Sequence, residues 1–195
     1  MNHLVDRGEC LLNGFSPYLL RNGGYILYAR HGQATVGEDR PDLNFQDCAT
    51  QRNLSSMGRQ QAASYGALLR TLQIPIGIPV ISSPFCRAAE TVWLAFGRNA
   101  VQIDPFWANA ARLSGTVTPA VREQILNRLQ VRLETPPPPG TNQVIIAHGF
   151  PDGVGLSRIP DMGTVVIRPL GQGRGYAVAA RLSLNDLSEA IYRMA

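Results

Sequence analysis

Three short runs in this 195-residue chain carry residue types suited to one reaction: Arg30-His31-Gly32, Ser83-Pro84-Phe85-Cys86-Arg87 and His148-Gly149. A neutral imidazole nitrogen attacks phosphorus. Guanidinium groups hold the equatorial oxygens over which charge spreads in the transition state, so this set suits phosphoryl transfer and requires no metal. Taken singly, each run has an ordinary explanation. A histidine after a strand is commonly a surface or hydrogen-bonded residue, Ser-Pro is a routine helix cap, and Arg87 one turn later reads as a solvated arginine. Together the three runs point to one phosphoryl-binding site.

The elements that must position these residues are legible. Each run follows a strand-like stretch: Tyr25 to Ala29, Val80 to Ser82, and Gln143 to Ala147. Further β-branched runs lie at Val101 to Ile103, Thr164 to Ile167 and Tyr176 to Ala180. Helix starts stand at Ser16-Pro17, stopped by Gly23-Gly24; at Ser55 or Ser56, running through Leu72; at Ser83-Pro84, ending near Gly97; and at Thr118-Pro119, running to Glu134. A fifth follows Ser183. In the second helix Ala62, Tyr65, Leu68, Leu69 and Leu72 recur at helical spacing and form a core face.

Strands alternating with helices predict a three-layer α/β/α sandwich with a mostly parallel central sheet. The last two strands follow each other without a helix, which predicts an antiparallel edge strand. In an open sheet of this kind ligands bind outside the carboxyl ends of the parallel strands, where the three polar runs would converge. The Ser83-Pro84 helix start would bring free backbone N–H groups to the same edge. Residues 1–195 read as one domain, with Pro136 to Gly140 as a stiff connector inside it.

Composition narrows the chemistry. All 18 basic side chains are arginines, against 14 Asp plus Glu, for a net charge of +4. Lysine chemistry is excluded: there is no Schiff-base lysine, phosphate-loop lysine or lysine general base. The arginines spread from Arg7 to Arg193 without a basic run, so the charge fits an anionic small molecule or phosphoprotein and does not indicate nucleic acid. The longest apolar runs fall far short of the ~20 residues of a membrane-spanning helix.

The three cysteines, Cys10, Cys48 and Cys86, form no close-spaced pair, and their odd count argues for a reducing compartment. Cys86, inside a helix, is expected to be a buried thiol. The N-terminus shows no export pattern, and a cytoplasmic location is expected. A cysteine phosphatase needs an arginine six residues after its cysteine, where Cys86 has Val92 and Cys48 has Leu54.

The chain resembles the histidine phosphatase superfamily, the phosphoglycerate-mutase-like fold. Five signatures carry the resemblance: Ile26 to Ala34, Asn53 to Ala62, Ser82 to Thr91, Ala95-Phe96-Gly97, and Val144 to Gly149. They span about residues 24–150. The resemblance implies that His31 becomes phosphorylated and that Arg30, Arg87 and His148 bind and stabilise the phosphoryl group. The Asn53 to Ala62 signature is expected to serve helix packing, with Ser55 or Ser56 as cap, and Arg52 just before it to reach substrate.

Two departures argue against a mutase. Mutases of this fold carry an asparagine six residues after the nucleophile, where this chain has Gly37, and a glutamate proton donor in the loop after the third strand. That region, Asp104 to Arg112, contains no glutamate. The His-Gly-Gln-Ala start is closer to small bacterial phosphatases, including those acting on phosphohistidine and on envelope sugars. The proton donor is left open. Asp152 is the nearest carboxylate after the second histidine and a candidate substrate contact, although Pro151-Asp152-Gly153 also reads as a turn. Glu38, Asp39 and Asp47 are alternatives; with no donor, only substrates with good leaving groups would react fast.

The expectation is a phosphatase that needs neither metal nor cofactor and hydrolyses a phosphomonoester or phosphoramidate through His31. A phosphomutase, or a protein that binds a phosphorylated ligand without turning it over, is the alternative. The sequence carries no code for the substrate or the oligomeric state.

Overall fold

The computed structural model describes residues 15–192. Six strands form one sheet: β1 (Ile26–Arg30), β2 (Val80–Ser82), β3 (Val101–Ile103), β4 (Gln143–Ala147), β5 (Thr164–Pro169) and β6 (Tyr176–Leu182), in the order β3-β2-β4-β1-β5-β6. The first four run parallel. Strand β5 pairs antiparallel with β1 in the sheet interior, and β6 closes the edge antiparallel to β5. The antiparallel element is thus two strands wide.

Buried on both faces, the central strands divide their side chains by alternation. Leu27 and Ala29 of β1, with Val144 and Ile146 of β4, join a core shared with α1 (Ser56–Thr71), α2 (Cys86–Phe96) and α5 (Leu184–Tyr192). Ile26 and Tyr28, with Ile145 and Ala147, face a second core under α3 (Ala108–Arg112) and α4 (Pro119–Leu133). The three-layer sandwich follows from central strands whose inner residues, Ile26 to Ala29 and Val144 to Ala147, are apolar and buried on both faces.

Helix α1 begins where its cap demands: Ser55 Oγ accepts from the Gly58 N–H. Its core face is the expected one, with Ala62, Tyr65 and Leu69 buried and Leu68 half-buried. Helix α2 starts two residues after Ser83-Pro84, with Phe85 in the capping position. The Ser16-Pro17 start opens a 3-10 helix, Pro17–Asn22. Helix α3 carries no start signal of its own; it continues a 3-10 turn, Pro105–Trp107, capped by Asp104.

The cysteine reading is corrected. Cys48 and Cys86 form a disulfide across 38 residues of sequence, with Cα atoms 5.7 Å apart, so Cys86 is not a free thiol. The long loop after β1 folds back over the start of α2 and brings them together, a long-range contact that spacing does not encode. Cys10 lies outside the described residues.

Helices α1 and α2 pack through glycine. A Cβ on Gly66 would stand 2.0 Å from the Ala95 carbonyl oxygen, a backbone atom that cannot turn aside. Gly66→Ala should therefore lower stability by about 1–3 kcal/mol in urea unfolding, the usual cost of overpacking. Thiol titration of the denatured protein should find two more reactive cysteines after reduction than before it.

Candidate active site

Strands β1, β2 and β4 all run toward one sheet edge, and the chain leaves each of them with a polar side chain. His31 follows β1, its N–H donating to Ala147 O at 3.0 Å and so continuing the ladder with β4. His148 follows β4, where Tyr28 Oη donates to its carbonyl at 2.7 Å. Ser83 follows β2, and its N–H donates to Ile146 O at 2.9 Å. Arg87 projects from the first turn of α2. Sheet register thus sets the spacing of the two histidines, whose ring centres lie 5.3 Å apart.

The nucleophile loop is also held by backbone contact. A Cβ on Gly32 would sit 2.4 Å from Gly58 O, and one on Gly58 would sit 2.0 Å from Gln33 O. The loop after β1 therefore rests directly on the first turn of α1, and the glycines in Arg30-His31-Gly32 and Met57-Gly58 answer each other.

His31 is held in one tautomer. Its Nδ1 lies 2.7 Å from the Gly32 carbonyl, which can only accept, so Nδ1 carries the proton. Nε2 is left with its lone pair and accepts from Arg87 Nε–H at 3.2 Å. Burial, then the positive charges of Arg87, Arg30 and Arg52, push the His31 imidazole down to about 3, against a weaker upward pull from the Gly32 carbonyl. Burial and the charges of the same site hold His148 well below its usual value. Both rings are neutral at physiological pH, the form a nucleophile requires.

The cations are anchored partly from outside the pocket. Arg30 pairs with Asp161 at 3.2 Å and donates to Ile159 O at 3.1 Å. The Arg87 guanidinium stacks over the Phe85 ring at 4.2 Å, and that ring also meets His148 edge-on at 4.7 Å. His148 Nε2 shares a 2.8 Å hydrogen bond with Ser83 Oγ. The expected supply of free N–H groups at α2 is partly used up: Cys86 N–H donates to Gln51 Oε1 at 2.8 Å.

Arg30, His31, Arg87, His148 and Arg52 surround one pocket of about 360 Å³, with Arg158 and Ser114 at its rim. Asp152 is not brought to it. It stands in solvent 3.7 Å from Arg158, in the Pro-Asp-Gly turn that its composition suggests. Glu38 and Asp47 are also exposed, and Asp47 caps the 3-10 helix Cys48–Thr50. Asp104 pairs with Arg132 beside a different cavity.

Asp39 does reach the pocket. Its two oxygens accept from Arg87 Nη1 at 2.8 Å and Nη2 at 3.1 Å, and Oδ1 accepts from the Arg52 N–H at 2.8 Å. Burial raises its carboxyl, but the Arg87 and Arg52 hydrogen bonds and charges outweigh this and hold it below the usual range. Ser83, Phe85 and Gln51 were not singled out by sequence reasoning as site residues. For Ser83, its place directly after a strand was the available signal. Among the described residues no group of three or more His, Cys, Asp or Glu is placed to hold a metal ion.

The neutral histidines have a measurable consequence. An imidazole that titrates lower in the folded than in the unfolded chain leaves the unfolded chain binding more protons as pH falls below about 6.5, so stability should rise with pH across that window. Histidine NMR signals of His31 and His148 should keep their neutral shifts from pH 8 down to 5, with His31 as the Nδ1–H tautomer.

Comparison with known proteins matches this fold. A search of curated protein sequences finds no match. Solved structures of similar fold include the protein histidine phosphatase SixA complexed with tungstate, at 15% identity and a TM-score of 0.52, covering 84% of this chain and 99% of that one. Another is phosphoserine phosphatase from Entamoeba histolytica in complex with 3-phosphoglyceric acid, at 16% identity and TM-score 0.54, covering 84% and 98%. A third is mycobacterial hydrolase 1, at 17% identity and TM-score 0.55, covering 80% and 97%. The description "Histidine phosphatase superfamily (branch 1)" matches residues 26–148, the stretch from β1 to the second pocket histidine. The chain belongs to the histidine phosphatase superfamily.

Proposed function

We propose that the protein is a phosphatase that hydrolyses a phosphomonoester or phosphoramidate through a covalent phosphohistidine on His31, without a metal in the reaction. The observation that carries this reading is the single-tautomer His31, its Nε2 lone pair 3.2 Å from Arg87 Nε and ringed by the cations of one pocket. For attack, Arg87 Nε–H leaves Nε2 and takes a phosphoryl oxygen, so the same donor that holds the nucleophile in register then stabilises the transferred group. Arg30 and His148 flank that group. Arg52 is placed to meet substrate beyond it.

The family and the phosphatases that share the fold support hydrolysis. A protein histidine phosphatase and a phosphoserine phosphatase are among those structures, and the open pocket suits either a small phosphorylated metabolite or a phosphorylated side chain of a protein. A nucleic acid or a membrane is not the proposed partner, since the arginines nearest the pocket point into it rather than forming an external stripe.

The compartment is revised. The cytoplasmic expectation rested on the cysteine count and on the lack of an export pattern; the Cys48–Cys86 disulfide removes the first ground and favours an oxidising compartment over a reducing one. No described helix is long and apolar enough to cross a membrane.

Release of inorganic phosphate from p-nitrophenyl phosphate at pH 5 to 7, with chelator present, is the direct test. His31→Ala should abolish turnover and the acid-labile phosphoenzyme. Arg87→Ala should lose about 10²-fold or more in rate, the usual effect of removing a donor to transition-state charge. A His31→Ala enzyme with near wild-type rate overturns the reading.

A further inference from the structure

Binding a phosphoryl group and attacking it use His31, Arg30, Arg87 and His148; neither act explains the carboxylate of Asp39. That carboxylate takes both Nη groups of Arg87, while His31 takes Nε of the same guanidinium. The nucleophile and the carboxylate therefore sit on two different edges of one planar cation. In-line attack by His31 Nε2 requires the leaving oxygen on the side of phosphorus away from His31, and Asp39 lines the same pocket on another edge of the Arg87 guanidinium. The other charged and titratable groups of the pocket are Arg52 before α1, Arg30 and His31 at the end of β1, His148 at the end of β4, and Arg158. Among these Asp39 is the only carboxylate.

We infer that Asp39 is the proton donor to the leaving group, and that substrate binding itself loads it with the proton. The inference rests on the phosphatase reading above. A phosphomonoester with a second pKa of about 6 enters partly as the monoanion. As its oxygens take the Arg87 donors, Asp39 gives up the guanidinium that kept it ionised and comes to face a second anion. Both changes raise its affinity for a proton, which passes to it from the phosphoryl group.

The rest of the step balances. The bond from His31 Nε2 to phosphorus forms as the bond from phosphorus to the leaving oxygen breaks. The electron pair stays on that oxygen, which takes the Asp39 proton and departs as the alcohol. In the second half a water oxygen bonds to phosphorus while its proton goes to the Asp39 carboxylate, and the nitrogen–phosphorus bond returns its pair to Nε2. This arrangement serves poor leaving groups such as alkoxides, which cannot depart unprotonated. The substrate class it implies is an alkyl phosphate rather than only a phosphoramidate or acyl phosphate.

The test compares wild type, Asp39→Asn and Asp39→Glu on p-nitrophenyl phosphate and on glycerol 2-phosphate, with folding checked by circular dichroism. Asp39→Asn should lower kcat/KM on glycerol 2-phosphate by about 10²–10⁴-fold, the usual weight of a general acid. The loss on p-nitrophenyl phosphate, which leaves as a stable phenolate, should be at least roughly tenfold smaller because it needs no proton. Phosphoenzyme should accumulate in that variant, and Asp39→Glu should restore part of the glycerol phosphate rate. Equal losses on the two substrates would make Asp39 a positioning residue for Arg87 and overturn the inference. Higher rates on both would make it a plug, with the same result. If wild type turns over neither substrate, the phosphatase reading fails first, and the inference falls with it.

Discussion

The guanidinium of Arg87 is the point at which the site is tied together. Its side chain is only 6% exposed, and a buried cation must be matched by partners or it costs several kcal/mol. It finds them on three separate pieces of chain: His31 after the first strand, Asp39 and the Arg52 carbonyl in the long loop, and the face of Phe85 in its own neighbourhood. One electrostatic requirement thus fixes the nucleophile, the loop and the start of α2 relative to one another.

The supports around this charge are neutral and largely backbone. Parallel pairing of β1 with β4 sets the two histidines side by side. The loop between Gly32 and Asn53 has little apolar anchorage, and is held by turns and side-chain caps: Thr50 Oγ1 accepts from the Asn44 N–H, Gln51 donates to the Asn44 carbonyl, and Asp39 accepts from Arg52. The disulfide then fastens the end of this loop to the residue next to Arg87. A polar loop that cannot be secured by burial is secured by a covalent bond.

Much of this was legible in the sequence, and the parts that were not share a cause. Short runs rich in β-branched residues and helices with Ser or Thr caps announce themselves locally, so β2, β3 and β4 and the N-termini of α1 and α4 fall where the residues indicate. The histidine and arginine runs were legible because strand ends in a parallel sheet share an edge. The pairing of Cys48 with Cys86, the contact of Ser83 with His148 and the seat of Asp39 on Arg87 were not. The first and third depend on how the loop after β1 folds back across the sheet edge, and the second on the side-by-side placement of β2 and β4, neither of which periodicity encodes. Helix α3 was missed for a different reason: Ala108-Asn109-Ala110-Ala111-Arg112 has helix-forming residues but neither the length nor the cap that marks a helix in sequence.

The contact of Gly32 with Gly58 has a consequence for how such a protein can change. The nucleophile is seated by main chain resting on main chain, so any side chain at Gly32 or Gly58 would push the two segments apart. The walls beyond the nucleophile, Arg52 in the long loop, Ser114 after α3 and Arg158 after β4, all lie on connecting segments that are free to vary. A lineage built on this frame can acquire a new substrate by exchanging the wall side chains of Arg52, Ser114 and Arg158 while the contacts of Asp39 and His31 with Arg87 are kept.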